Sequence, residues 1–213
     1  MKTSQNSNRL RRATLTVGFV ALGVLSIMVV QPVSAATSKA QLKTQLIVPG
    51  VRVGHLRLGH NGAAQLRQMA KPTAEDAGMS QTRQVWVSKD KARNTLFLHT
   101  VSNGALNVAP LSGVTIDTIR VTSSFFHTRN GISTRSTLAQ VKKAFPKMNH
   151  SLADGIGGKT VIYDDARHGI AFEFARESAS ARCIGITSYI AGKGNDAGGP
   201  VSRQEVATLL HDR

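Results

Sequence analysis

Cysteine is nearly missing from this chain of 213 residues: Cys183 is the only one. No disulfide can therefore staple the fold from within, and the paired-cysteine spacings of structural zinc sites are excluded with it. Cys183 stands in the apolar-flanked run Ala181 to Ile190 and reads as a buried, inert thiol. Acidic residues are few as well, 12 Asp+Glu against 27 Lys+Arg. Such an excess favours contact with acidic surfaces, whether nucleic acid, anionic lipid, envelope polymer or an acidic protein. Aromatics make up 5% of the residues and few stand among the cations, so single-stranded nucleic acid lacks a stacking platform. Nucleic acid is allowed by charge and unsupported by motif.

Catalytic signatures are also absent. None of His55, His60, His99, His127, His150, His168 and His211 stands at metal-ligand spacing from a second ligand on one helix face. No His-Glu-x-x-His or Gly-x-Ser-x-Gly string occurs. His55 and His60 read as solvated loop histidines. Gly155-Ile-Gly-Gly-Lys-Thr160 has the look of a phosphate-binding loop, but strand-like residues follow where such a loop needs a helix. Asp164 and Asp165 would point to opposite sides of an extended segment, so they read as turn residues and not as the carboxylate pair of glycoside cleavage. Ser123-Ser124 lies near His127, yet no acidic partner can be named for a triad. No cofactor and no metal site is expected.

What is present begins with a leader. Lys2, Arg9, Arg11 and Arg12 precede an uncharged apolar run from Ala13 to Val30, and Val33-Ser34-Ala35 supplies the small residues of a cleavage site before Ala36. Export is expected, to the periplasm or beyond the cell, by a general or twin-arginine route. The membrane is met only through this segment before cleavage. Removing residues 1–35 takes away four cations and no acids, leaving 23 basic residues against 12 acidic, a formal charge of +11.

Residues 36–46 read as a polar tether. Within Leu56 to Pro72, Asn61-Gly62 then opens a helix of about two turns, Ala63 to Ala70, closed by Lys71-Pro72. Gln84–Ser88 and Thr95–Val101 predict a hairpin, and Val114 to Thr122 a third strand with a change of register. The order recurs in the second half. Gly131 to Pro146 predicts a helix from about Thr134 to Phe145, with Leu138, Val141 and Phe145 on its apolar face. His150–Lys159 is expected to be a loop, Thr160–Tyr163 and Ile170–Phe174 a hairpin, and Cys183–Ile190 a further strand. Ser202 to Leu210 predicts a terminal helix with Ser202 as N-cap and Glu205 at capping-box spacing. Gln65-Leu66-Arg67 against Gln140-Val141-Lys142, and Trp86 against Tyr163, recur at nearly constant offset. The expected fold is therefore α+β, with two tandem helix-plus-three-stranded antiparallel meander repeats, 47–124 and 125–191, sharing one core. Residues 192–213 would form a glycine-rich linker and the short terminal helix.

A glycine-punctuated segment, a helix ended by proline and a strand meander, twice over, resembles the BamE-like envelope proteins. The tandem form is similar to the β-lactamase inhibitory protein architecture. No lipobox cysteine stands at the cleavage site and no cysteine pairs staple the repeats, so no functional residue carries over. The resemblance implies extracytoplasmic proteins that bind other proteins through a sheet face and loops. The expected function is accordingly a non-enzymatic envelope or secreted binding protein with a protein or anionic-polymer partner. Its candidate contact residues are Trp86, Lys89, Lys91, Arg93, Phe126 and His127. The alternative is a small basic hydrolase, nuclease-like, with His127 or His168 as acid/base.

Overall fold

The computed structural model describes residues 44–102, 113–154, 158–192 and 199–211, all in the second of the two units, Met1–Ala36 and Thr37–Arg213, into which the chain divides. The leader, and Gly155 and Gly157 of the phosphate-loop-like string, lie outside the described residues. Short strands β1 (Leu46–Val48), β2 (Arg52–Val53), β3 (Leu56–Arg57) and β8 (His127–Thr128) form a small sheet in the order β3-β2-β1-β8. The larger sheet contains β4 (Ala74–Gly78), β5 (Gln81–Val87), β6 (Thr95–Ser102), β7 (Val114–Val121), β9 (Asn149–Ala153), β10 (Thr160–Asp165), β11 (Ile170–Phe174) and β12 (Cys183–Tyr189). Its order is β4-β5-β6-β7-β12-β11-β10-β9, antiparallel throughout: two four-stranded meanders joined where β12 meets β7. Three helices lie wholly among the described residues, beside these strands: α1 (Gly62–Leu66), α2 (Leu138–Ala144) and α3 (Arg203–His211).

The α+β expectation of two helix-plus-three-stranded repeats is corrected by this architecture. Twelve strands in two sheets dominate the described residues, and the helices are five, seven and nine residues long. Capping explains why α2 is shorter than its sequence suggested. Thr137 is the N-cap, accepting from the Gln140 N–H at 3.3 Å while the Gln140 side chain accepts from the Thr137 N–H at 2.8 Å. The hydroxyls upstream are used in a turn, Ser136 Oγ accepting from the Ser133 N–H and Ser133 Oγ from the Arg135 N–H. In α1, Asn61 caps as expected, accepting from the Ala64 N–H at 3.1 Å, but the helix stops at Leu66. Each meander also has a fourth, outer strand: β4, where no element was expected, and β9, which runs into the segment expected to be a loop. Four of the five residues of each are exposed, so neither shows the alternation that marks a strand.

One face of the larger sheet packs on the small sheet and α2. Leu98, Ile119, Phe172, Phe174 and Ile186 meet Ile47, Val53 and Leu56 on one side and Leu138, Val141 and Phe145 on the other. On the opposite face α3 lies against β4 to β6, where Val201 and Val206 cover Ala74, Val85 and Phe97. Six of the eight residues of β7, six of the seven of β12 and all five of β11 are buried, so the centre of the sheet is covered on both sides. A bulge sets Thr118 and Ile116 of β7 against the consecutive His99 and Thr100 of β6, and the extra residue is Asp117. Beneath the start of α3 lies an ion pair, Arg120 Nη2 to Glu173 Oε2 at 2.5 Å, with both side chains almost wholly buried.

Candidate functional site

Polar side chains gather in two surface places, toward opposite ends of the larger sheet. The first is the β5–β6 hairpin. The Ser88 N–H donates to the Asn94 carbonyl at 2.8 Å, the Arg93 N–H to the Asp90 carbonyl at 3.2 Å, and Ser88 Oγ to Asp90 Oδ1 at 2.6 Å. These bonds fold the turn so that Lys89, Lys91 and Arg93 line one groove of about 560 Å³ with Thr73, Val87 and Asp90. Arg93 is held at φ 45°, a left-handed conformation that costs a residue with a side chain. Among the described residues no carboxylate comes within ion-pair distance of the three cations. Their attraction for an anion from outside is therefore unspent.

The other expected contact residues lie elsewhere. Trp86 serves the fold: its indole N–H donates to the Ala70 carbonyl at 2.7 Å and its ring packs on the core. Phe126 is half-buried on the same core, edge-to-face with Phe125 at 5.2 Å, and Phe125 is the ring left 50% exposed. His127 sits half-buried in β8 beside Leu46 of β1, with no carboxylate in hydrogen-bond reach among the described residues.

The second place is the β10–β11 turn. Asp165 is buried and accepts the His168 Nδ1–H at 2.7 Å, while its backbone carbonyl takes the N–H groups of His168 and Gly169. The pair locks the turn, and it also leaves the imidazole Nε2 outward on a side chain 58% exposed. The adjacent Asp164 faces the other way and accepts from the Tyr189 hydroxyl, as adjacent residues of a strand must. His168 and Asp165 line a recess with Lys147, Arg167, Asn130 and Phe145. No Ser, Thr or Cys is among its lining residues, so the recess offers a base and cations without a side-chain nucleophile.

A buried pair, His99 Nδ1 to Asp117 Oδ1 at 2.7 Å, went unforeseen because its members are 18 residues apart and meet only through the β7 bulge. The Asp165–His168 pair left a fainter trace, Asp-x-x-His across a turn. His55 and His60 are exposed, and no group of three or more potential metal ligands exists among the described residues. Cys183 is buried, its thiol donating to the Gly185 carbonyl at 3.2 Å, and burial pushes it up to about 12. Ser123 Oγ accepts from the Phe125 N–H, a turn contact. Thr160, after the glycine string, opens a strand and bonds Gln204. No helix among the described residues is long and apolar enough to cross a membrane.

Both tyrosines of the chain titrate late. Burial, and then the 2.6 Å hydrogen bond to Glu177, push Tyr163 up to about 12. Burial and then the Asp164 carboxylate drive Tyr189 higher still. Because both folded values lie above the ordinary phenol value, the stability they contribute is full below about pH 10 and is lost as pH rises through the folded values. An absorbance titration at the tyrosinate band should thus show no step until the protein unfolds in alkali. A one-tyrosine step near the ordinary value in the native protein would contradict the assignment.

Comparison with protein-family models, characterised proteins and solved structures gave no match.

Proposed function

We propose that the mature chain is an exported, non-enzymatic binding protein that takes an acidic protein partner through the β5–β6 hairpin. The observation that carries this reading is the set of three unpaired cations around one groove, backed by the charge of +11 that remains after residues 1–35. Asp90 within that groove favours a protein over a uniform polyanion. Its carboxylate repels a continuous run of negative charge, while a protein can meet it with a donor of its own. Because the sheet centre is covered on both faces, the loops and hairpins are the parts free to make contact.

The test compares the chain from Ala36 onward with its Lys89→Gln, Lys91→Gln, Arg93→Gly variant in pull-downs from envelope and secreted fractions. A protein retained by the first and lost with the second is the expected result. Recovery of nucleic acid or anionic polymer alone, or of a protein indifferent to the variant, would sink the reading. Arg93→Gly alone should separate binding from stability. Glycine occupies the left-handed conformation freely, so urea unfolding should show a gain of about 1 kcal/mol while binding weakens.

A second reading, a small basic hydrolase, has one observation in its favour: the Asp165–His168 pair within a cation-rimmed recess. In that reading His168, held in orientation by Asp165, would act as base toward a water. His127 lacks a carboxylate partner and is not part of it. Turnover of RNA or an aryl phosphate that disappears in His168→Gln would favour this reading over the first.

A further inference from the structure

We infer that the recess between the Asp165–Gly169 turn and the end of α2 binds a small phosphate monoester carrying an aromatic or short alkyl group. The inference is independent of the hairpin, which lies toward the other end of the sheet, so either can fail without the other. Two cationic donors line the recess, the Arg167 guanidinium and the Lys147 ammonium, and the outward Nε2 of His168 is a third once a phosphate dianion draws the imidazole into its doubly protonated form beside Asp165. Lys147 and Arg167 have no carboxylate partner among the described residues, and Asp165 is committed to His168. Two uncompensated cations match a dianion, and three donors match the three terminal oxygens of a phosphate better than the two of a carboxylate.

Apart from the Asn130 amide, the rest of the recess is apolar. Phe145, Pro146, Ala144 and Pro49 supply a wall against which a ring or short chain can leave water. Its volume of about 400 Å³ is within the size of small-molecule sites.

The recess is also held in shape without a ligand. Gly50 donates its N–H to the Gly169 carbonyl at 3.2 Å, and Ser188 Oγ accepts from the same N–H at 3.1 Å. Both glycines have left-handed φ, and a Cβ on Gly50 would stand 2.7 Å from the His168 carbonyl oxygen. The two turns therefore lie backbone against backbone, and Asp165 fixes the imidazole from below. The backbone frame and the imidazole lose little conformational freedom on binding, and the ordering cost falls on Lys147 and Arg167, whose side chains are exposed.

The test is a calorimetric titration of the chain from Ala36 onward with phenylphosphonate, a stable stand-in for an aryl phosphate that water does not cleave. Phenylphosphonate is expected to bind at least tenfold more tightly than methylphosphonate, and Lys147→Gln and Arg167→Gln each to weaken it about tenfold. Both side chains are exposed, so neither variant should fail to fold. Lys159→Gln, an equal loss of charge on an exposed side chain outside the recess, should leave the affinity unchanged. Equal affinity for the two phosphonates would overturn the apolar wall. Indifference to both recess variants, or an equal loss with Lys159→Gln, would overturn the site.

Discussion

Replacing Arg120 with alanine is expected to cost about 3–5 kcal/mol of folding free energy, because a buried carboxylate is left without its cation. Arg120 is 2% exposed and its Nη2 lies 2.5 Å from Glu173 Oε2. The other oxygen of Glu173 accepts the Arg203 N–H at 2.8 Å, in the first turn of α3, where a negative charge also suits the helix dipole. Without Arg120 that single hydrogen bond must hold the charge in the interior, and the docking of α3 weakens with it. Gly185 exists for the same pair: a side chain there would run into the guanidinium. The pair is not itself a large net gain, since Arg120 Nε has no acceptor among the described residues. Arg120→Leu combined with Glu173→Leu should therefore recover most of the loss, leaving unrecovered chiefly the hydrogen bond that the Glu173 carboxylate accepts from the Arg203 N–H. Urea unfolding of the two variants decides the matter. A loss below about 1 kcal/mol for Arg120→Ala would show that the pair is hydrated in the native state.

Phe172→Ala should be of similar size for a different reason. Phe172 has no exposed surface, lies at the centre of the core and tilts against Phe145 with ring centroids 4.9 Å apart. Its truncation opens a void between the sheet and α2, where strands paired on both sides cannot collapse inward. The expected cost is about 3–5 kcal/mol, or a fall of roughly 6–20 °C in Tm for a domain of this length. Phe125→Ala, at an exposed ring, should stay within about 0.5 kcal/mol and is the matched control. Equal melting of the two variants would contradict the packing.

The strands with a covered face were legible in the sequence. Ile170, Phe172 and Phe174 alternate, Thr95 to Val101 is rich in β-favouring residues, and both segments lie where the pattern set them. The helix before Pro146 misled because its cap was placed by residue type, whereas Asn61 and Ser202 cap the other two helices as their sequence positions indicated. Several Ser and Thr precede Leu138, and only tertiary structure decides that Thr137 caps while Ser133 and Ser136 close a turn. The outer strands β4 and β9 were illegible for a related reason. Their order comes from backbone pairing with β5 and β10, and exposed residues such as Glu75, Asp76 and His150 leave no periodic mark. Of the candidate site, the cluster Lys89, Lys91 and Arg93 could be read because its members adjoin in sequence. Trp86 could not be assigned to the core in advance, since its partner is a backbone carbonyl. The recess was hidden for the same reason: Pro49, Phe145 and His168 are brought together only by the fold.

The central claim is that the tip of the β5–β6 hairpin touches a protein partner, and site-specific photo-crosslinking in the exporting cell tests it most directly. A photoreactive residue at Ala92, exposed between Lys91 and Arg93, should give a discrete protein adduct that vanishes when those two cations and Lys89 are replaced. The same probe at Met79, 92% exposed at the far end of β5, should give none. No adduct from Ala92, or the same adduct from both positions, would contradict the account.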